Sequence, residues 1–447
     1  MSLPEPRLAD HHEASSNRRT LRWTAIGRFG GIAAFAITTL QLASSLPSGD
    51  LAEYLVAQAL AAFASGLSAG GENVTAMKIF AGSDPVERDG LLASWRPILR
   101  RRLLTSAIAT AALCVAVGVA LGQLGSQSFD FWQIGLVILT AWLLGWQMVA
   151  IEALRAVGRV RDANLGTGRN GGFVTQGSLA IGLGLYPILF GSLSLTSSLC
   201  LTTGAAAIGL VHLVLSFRAA ATTKPETRPV RLPDSATNSP FATIGAQLLS
   251  SAVVQIDLLI AGVYFAGVGL ATYGLARRIA TVLAFPLQIG VLSVSPNIVI
   301  GLRSKNLKSL QDKLSRMATV AFAVTLAGSL LPILLPDSAW HAAGIQHVSL
   351  VKSIFLYLSL GQLVNVYTGA CGTVLLLAGE QSVLAKHSLL TLVALAFLLV
   401  VTGLSHRISW FALAGSALTA ARFLSLLVLT HRRTGIWTNV WRRKVIA

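Results

Sequence analysis

Twelve long apolar stretches, near residues 24-46, 53-77, 103-123, 131-154, 172-190, 196-217, 241-265, 269-300, 317-336, 350-377, 383-404 and 408-430, take up most of this 447-residue chain. Stretches of this length and apolarity match the hydrocarbon thickness of a bilayer. Backbone groups in hydrocarbon are satisfied only within a helix or around a closed barrel, and barrel strands alternate over about 10 residues. The expected fold is therefore an all-α polytopic membrane protein with about 12 transmembrane helices. A hydrophobic content of 53%, a charged content of 12% and a mean hydropathy of +0.67 exclude an ordinary soluble domain.

A formal charge of +17 would suit nucleic acid if the charges shared one face. Instead, 28 of the 35 Lys and Arg fall in the termini and the even-numbered connections, one (Arg407) in an odd-numbered one and six inside the spans, Lys352 and Lys386 near span ends and Arg28, Arg277, Arg278 and Arg422 deeper. This positive-inside pattern places both termini in the cytoplasm and assigns most of the charge to anionic headgroups, with no nucleic-acid partner. The polar segment 1-22 lacks a small-residue cleavage site and reads as a cytoplasmic segment rather than a removable signal peptide. Cys114, Cys200, Cys371 and the eight His are scattered without metal-ligand spacing, so no metal and no cofactor is expected.

The polar, Pro-rich stretch 218-240 reads as a cytoplasmic linker between two six-helix lobes, 23-217 and 241-430, and a basic tail covers 431-447. Two connections, 78-102 and the one after the eighth span, pattern as basic amphipathic helices on the inner surface, with Pro97 interrupting the first. At an offset of 219 residues, Leu51, Ala52, Tyr54 and Ala57 match Leu270, Ala271, Tyr273 and Ala276 at the start of the second span of each half. Six spans per half make such repeats parallel, related by an axis along the membrane normal around a central cavity.

The hairpin 241-300 concentrates the intramembrane charge. At about 1.5 Å per residue, Asp257 lies about 12 Å before the break at Gly267 and Gly269, and Arg277 about 15 Å after it. Ionisable groups at that depth face a bundle interior or a wet cavity. Arg277 and Arg278 point about 100° apart, so one is expected to face the cavity while the other contacts Asp257 or a neighbouring span. A guanidinium suits a phosphate, and Gln255, Gln288, Gln362, Asn365 and Tyr367 offer partners for sugars. The alternative is a structural ion pair for the charges and interhelical hydrogen bonds for the amides. Arg28 and Glu72, near the cytoplasmic ends of the first two spans, are candidates to meet each other or to snorkel separately. Trp437 and Trp441 suit interfacial anchoring.

The run Leu46-Pro47-Ser48-Gly49-Asp50-Leu51-Ala52-Glu53-Tyr54, the Leu154-Arg155-Ala156-Val157-Gly158-Arg159 end of the fourth span, and Asp257 followed by Ala271-Thr272-Tyr273-Gly274-Leu275-Ala276-Arg277-Arg278-Ile279 resemble the polysaccharide transporter, or Wzx-type flippase, family. That family belongs to the multidrug, oligosaccharidyl-lipid and polysaccharide exporter superfamily, and the resemblance in span order covers about residues 20 to 430. Glu53 stands in a segment where relatives of that family often carry a Glu-Tyr pair, whereas Thr272 replaces the acid in the second half. The resemblance implies alternating access and movement of an undecaprenyl-diphosphate-linked oligosaccharide from the cytoplasmic to the periplasmic leaflet of a bacterial inner membrane. It also implies polysaccharide biosynthesis proteins as partners. Rival readings are a cation-coupled drug or metabolite antiporter of the same superfamily, using Asp257 or Glu72, and a peptidoglycan-precursor flippase, which typically has two further C-terminal spans. A membrane-embedded polymerase or ligase is disfavoured by the short outer connection 337-349, so an enzyme is not expected.

Overall fold

The computed structural model describes residues 27, 29-80, 85-125, 129-166, 172-220, 240-304 and 306-440. The N-terminal segment 1-22, Arg28, most of the linker and the tail from 441 lie outside them. Described residues form helices throughout: α1 (Phe29–Ser45), α2 (Ser48–Ser68), α3 (Glu72–Phe80), α4 (Pro85–Leu124), α5 (Phe131–Ala156), α6 (Val160–Gly166), α7 (Phe173–Phe190) and α8 (Leu195–Ala220) in the first half. The second half contains α9 (Pro240–Tyr264), α10 (Gly267–Val282), α11 (Phe285–Arg303), α12 (Leu307–Leu334), α13 (Asp337–Ala342), α14 (Val348–Thr368), α15 (Cys371–Leu377), α16 (Gln381–Gly403) and α17 (Ile408–Thr434). Ten of these helical stretches are long and apolar enough to cross a membrane, and α1 and Leu248–Tyr264 of α9 add two shorter apolar ones.

Several expected continuous spans are broken, each for a local reason. The second span stops at Ser68, turns on Gly70 (φ 56°) and Gly71 (φ 74°), and resumes as α3; both angles belong to the left-handed region that glycine enters without a Cβ clash. The eighth stops at Leu283 and Ala284, with Pro286 in the first turn of α11, where no intrahelical N–H is needed. The tenth breaks at Gly369 (φ 73°), where a Cβ would stand 2.1 Å from the Thr438 carbonyl oxygen. Conversely, the amphipathic connection and the third span join in one 40-residue helix that continues through Pro97. Leu91 and Trp95 are buried beside it, so packing carries the helix over the proline.

The two halves repeat one packing pattern. Helices α5 and α14, the fourth spans, pack most extensively on the sixth spans, α8 and α17, and also on α2 and α10. The fifth and sixth spans pair in both halves, α7 on α8 and α16 on α17. Tyr54 and Tyr273, matched at the 219-residue offset, are the largest fully buried side chains. Gly274 brings α10 against Leu55 of α2, where a Cβ would stand 2.6 Å from Leu55 Cδ1. The matched segments therefore form the seam between the halves.

We call the end with the basic connections inner and the opposite end outer. One buried cluster spans both halves toward the outer end, taking in Leu42, Tyr54, Leu121, Phe265, Tyr273, Trp340, Phe355 and Phe411. Toward the inner end, each buried cluster among the described residues belongs to one half: Phe80, Trp95 and Trp146 in the first, Ile298, Leu314 and Val374 in the second. Among the described residues, packing between the two halves is therefore concentrated at the outer end.

Close backbone approaches complete the outer closure. A Cβ on Gly125 would stand 2.8 Å from the Gly262 carbonyl oxygen, and one on Gly344 (φ 80°) 2.7 Å from Ser44 Cα. Beside this contact, Lys352 Nζ pairs with Asp337 at 2.8 Å and holds its carboxyl below the usual range. Gly344→Val is expected to open the seal, because backbone on both sides leaves no flexible group to yield. A membrane-impermeant maleimide applied from the outer side should then label a Leu46→Cys reporter severalfold faster, in a background where exposed Cys200 is replaced by Ser. Unchanged labelling would place the closure elsewhere.

Candidate functional site

The seam reaches its most polar point where α10 passes α2 about 15 Å below its outer end. Arg277 Nε donates to Asp257 Oδ2 at 2.6 Å, and the Tyr273 hydroxyl donates to the same oxygen at 2.9 Å. Arg277 Nη2 also donates to the Val254 carbonyl and, at 3.1 Å, to Gln255 Oε1. The α9–α10 hairpin thus satisfies Arg277 from within, as a charge-assisted network between adjacent helices requires. Asp257 Oδ1 is buried without a hydrogen-bond partner among the described residues.

Arg278, one residue further round the helix, turns to the other half. Its Nη1 donates to Thr39 Oγ1 at 3.5 Å, and its guanidinium lies 4.9 Å from the Phe35 ring centre and 5.7 Å from that of Tyr54. Tyr54 is fixed in turn by a 3.0 Å hydrogen bond between its hydroxyl and Thr202 Oγ1. Two aromatic rings stabilise a cation only partly. Among the described residues no carboxylate lies within ion-pair distance of Arg278. It is only 7% exposed. A desolvated cation at membrane depth without a counter-charge is costly, and such residues mark ion or substrate paths.

Both arginines line a cleft of about 40 Å³ with Gln255, Leu258 and Thr281 from the second half and Phe35, Leu55, Gln58 and Ala59 from the first. At the 219-residue offset, Gln58 corresponds to Arg277 and Ala59 to Arg278, so the cleft straddles the axis relating the halves while its cations come from one side. The volume holds a water or two. Anything larger than water fits only if the surrounding helices move apart.

The other sequence candidates are distributed around the molecule. Glu72, 1% exposed, is paired with Arg102 and accepts a 3.0 Å hydrogen bond from Trp95 Nε1; both partners come from α4, so the expected meeting with Arg28 falls on a residue outside those described. Asn365 Nδ2 donates to Gln362 Oε1 at 3.2 Å, and Tyr367 packs edge-on to Phe322 with ring centres 6.1 Å apart. None of the three lines the cleft, while Gln255 does. Trp437, expected at the interface, stacks on His431 at 4.1 Å, and its backbone N–H donates to Gln311 Oε1 at 3.1 Å. Sequence reading missed Phe35, Thr39 and Gln58. Only Gln58 left a signal, its correspondence with Arg277 in the repeat.

The architecture is that of known membrane transporters. The chain is similar to an inward-facing multidrug resistance MATE family transporter of the MOP superfamily, at 15% identity over 90% of this chain and 94% of that one, with a TM-score of 0.66. It is similar to the lipid II flippase MurJ in an inward closed conformation, at 14% identity over 91% and 87%, with a TM-score of 0.66. It is also similar to the MATE multidrug transporter DinF-BH, at 15% identity over 97% and 98%, with a TM-score of 0.63. The sequence matches no protein-family model and no curated protein. These likenesses establish the fold: a polytopic helical membrane protein with the two-lobe architecture that MATE transporters and MurJ share.

Proposed function

We propose that this protein is a transporter that moves an undecaprenyl-diphosphate-linked oligosaccharide from the cytoplasmic to the periplasmic leaflet by alternating access, as a Wzx-type flippase would. The observation that carries this reading is Arg278, a buried cation lining the cleft with no carboxylate within ion-pair distance among the described residues. A diphosphate headgroup supplies the missing counter-charge, and a planar guanidinium takes two of its oxygens at once. Gln58 and Gln255 offer amides to the first sugar. Arg277 and Asp257 position the α10 face, and Gln362, Asn365 and Tyr367 are proposed to meet the glycan where the cavity widens. Arg28 and Glu72 are proposed to act at its inner mouth. A flippase of lipid II among the similar structures supports a lipid-linked cargo. We place the protein in the bacterial inner membrane beside the polysaccharide biosynthesis proteins that make and consume that cargo.

The test is leaflet accessibility of the lipid-linked oligosaccharide in cells depleted of this protein. Accumulation on the cytoplasmic face is the expected result. Normal accessibility with altered drug tolerance would favour the second reading, a cation-coupled drug or metabolite antiporter. One observation speaks for that reading: Asp257 Oδ1, buried at membrane depth, has no hydrogen-bond partner among the described residues. MATE multidrug transporters among the similar structures agree with it.

A further inference from the structure

A second arginine lies at membrane depth, away from the cleft. Arg422 sits near the middle of α17, about 20 Å from either end. Its side chain is partly buried, and its Nε is withdrawn from solvent with no hydrogen-bond partner among the described residues. The nearest aromatic contact is its own neighbour Phe423, with the ring centre 5.4 Å from the guanidinium carbon. No described carboxylate lies within ion-pair distance. His387 of α16 and Cys371 of α15 lie within its electrostatic reach. His387 Nε2 shares a 2.7 Å hydrogen bond with Ser425 Oγ, and its Nδ1 is a second buried nitrogen without a partner.

The surroundings say where a counter-charge comes from. Leu390, Val393 and Phe397, on the His387 side of α16, are exposed at 70%, 59% and 71%, so this face borders acyl chains rather than water. Further charges on these helices toward the inner end, Lys386, Arg432 and Arg433, are exposed and positive. The acid at the start of α16, Glu380, makes no ion pair among the described residues. A cation with several donors in such a place is neutralised by an anion that arrives with a lipid.

We propose that the groove between α16 and α17 is a binding site for the phosphate of a lipid in the inner leaflet. Arg422 takes a phosphate oxygen, Ser425 and His387 supply further hydrogen bonds, and the acyl or prenyl chain runs toward the bilayer centre along Leu390, Val393 and Phe397 of α16. Lys386 holds the outer edge of the headgroup. This site is separate from the Arg278 cleft and holds whichever substrate the transporter carries. An ordinary phospholipid and a polyprenyl carrier present the same chemistry.

Native mass spectrometry of the full chain, released from bilayers of phosphatidylcholine doped with phosphatidylglycerol or with decaprenyl phosphate, tests it. Wild-type protein is expected to retain one doped lipid in preference to phosphatidylcholine. Arg422→Gln should reduce retention at least about tenfold, the value of one hydrogen bond to a charged group. Ser425→Ala, at an exposed position, should reduce it less and guards against misfolding of the arginine variant. Arg278→Gln should leave retention of phosphatidylglycerol unchanged. Preference for one doped lipid names the source of the phosphate, and either supports the site. Equal retention by wild type and both groove variants, or loss only in Arg278→Gln, overturns it.

Discussion

Arg278→Gln is expected to reduce export of the lipid-linked oligosaccharide at least about tenfold, the value of a charge-assisted hydrogen bond to a phosphate, while the protein still folds and inserts. The reasoning rests on what Arg278 lacks. Removing one member of a buried ion pair strands the other, but no described carboxylate faces Arg278, so its loss strands nothing. Its removal also relieves the desolvation of a charge only 7% exposed. The thermal midpoint in detergent should therefore stay level or rise as export falls. Arg278→Lys should restore export only in part, since it keeps the charge but loses the planar fork and the stacking on Phe35 and Tyr54. Full export by Arg278→Gln would remove the phosphate role. A loss of export that merely tracks loss of folded protein would make the residue a packing element.

Arg277→Met should behave in the opposite way, destabilising the protein by about 3–5 kcal/mol. This substitution leaves Asp257, whose side chain is 18% exposed, with only the Tyr273 hydroxyl as a donor. It also frees Gln255 and the Val254 carbonyl. The double variant Asp257→Asn/Arg277→Met removes both charges and should recover most of that loss, a coupling that a double-mutant cycle of thermal midpoints reads directly. Additive single effects would mean that the two groups do not act as a pair. The same double variant also separates the two functional readings: it abolishes proton-coupled efflux in an antiporter that uses Asp257, whereas a flippase whose cation is Arg278 keeps measurable export.

The contrast between adjacent arginines shows how far the chain could be read in one dimension. Depth along the hairpin follows from 1.5 Å per residue, and it correctly brought Asp257 and Arg277 to one level. The 100° step between neighbours implied that the two arginines diverge. Which of them pairs with Asp257 depended on the rotation of α10 against α2, and that is set by Gly274 meeting Leu55 across the seam. Glu72 illustrates the same limit. Its partner was sought on the preceding helix by proximity in sequence, whereas Arg102 and Trp95 reach it from a helix that passes Pro97 without stopping.

Sequence alone determined the solvent, the secondary structure and the orientation rule, because hydrocarbon length, backbone satisfaction and the placement of Lys and Arg are properties of single segments. It also exposed the repeat through Leu51, Tyr54, Leu270 and Tyr273. Tertiary structure decided where the second, eighth and tenth spans break, which end of the molecule the lobes share, and that Phe35, Thr39 and Gln58 surround the arginines. Those outcomes depend on contacts between helices tens to hundreds of residues apart, each set by a few side-chain volumes at a close approach. No single stretch of this chain carries that information, because a helix in lipid has no preferred neighbour until small residues such as Gly274 and Gly344 let one come near.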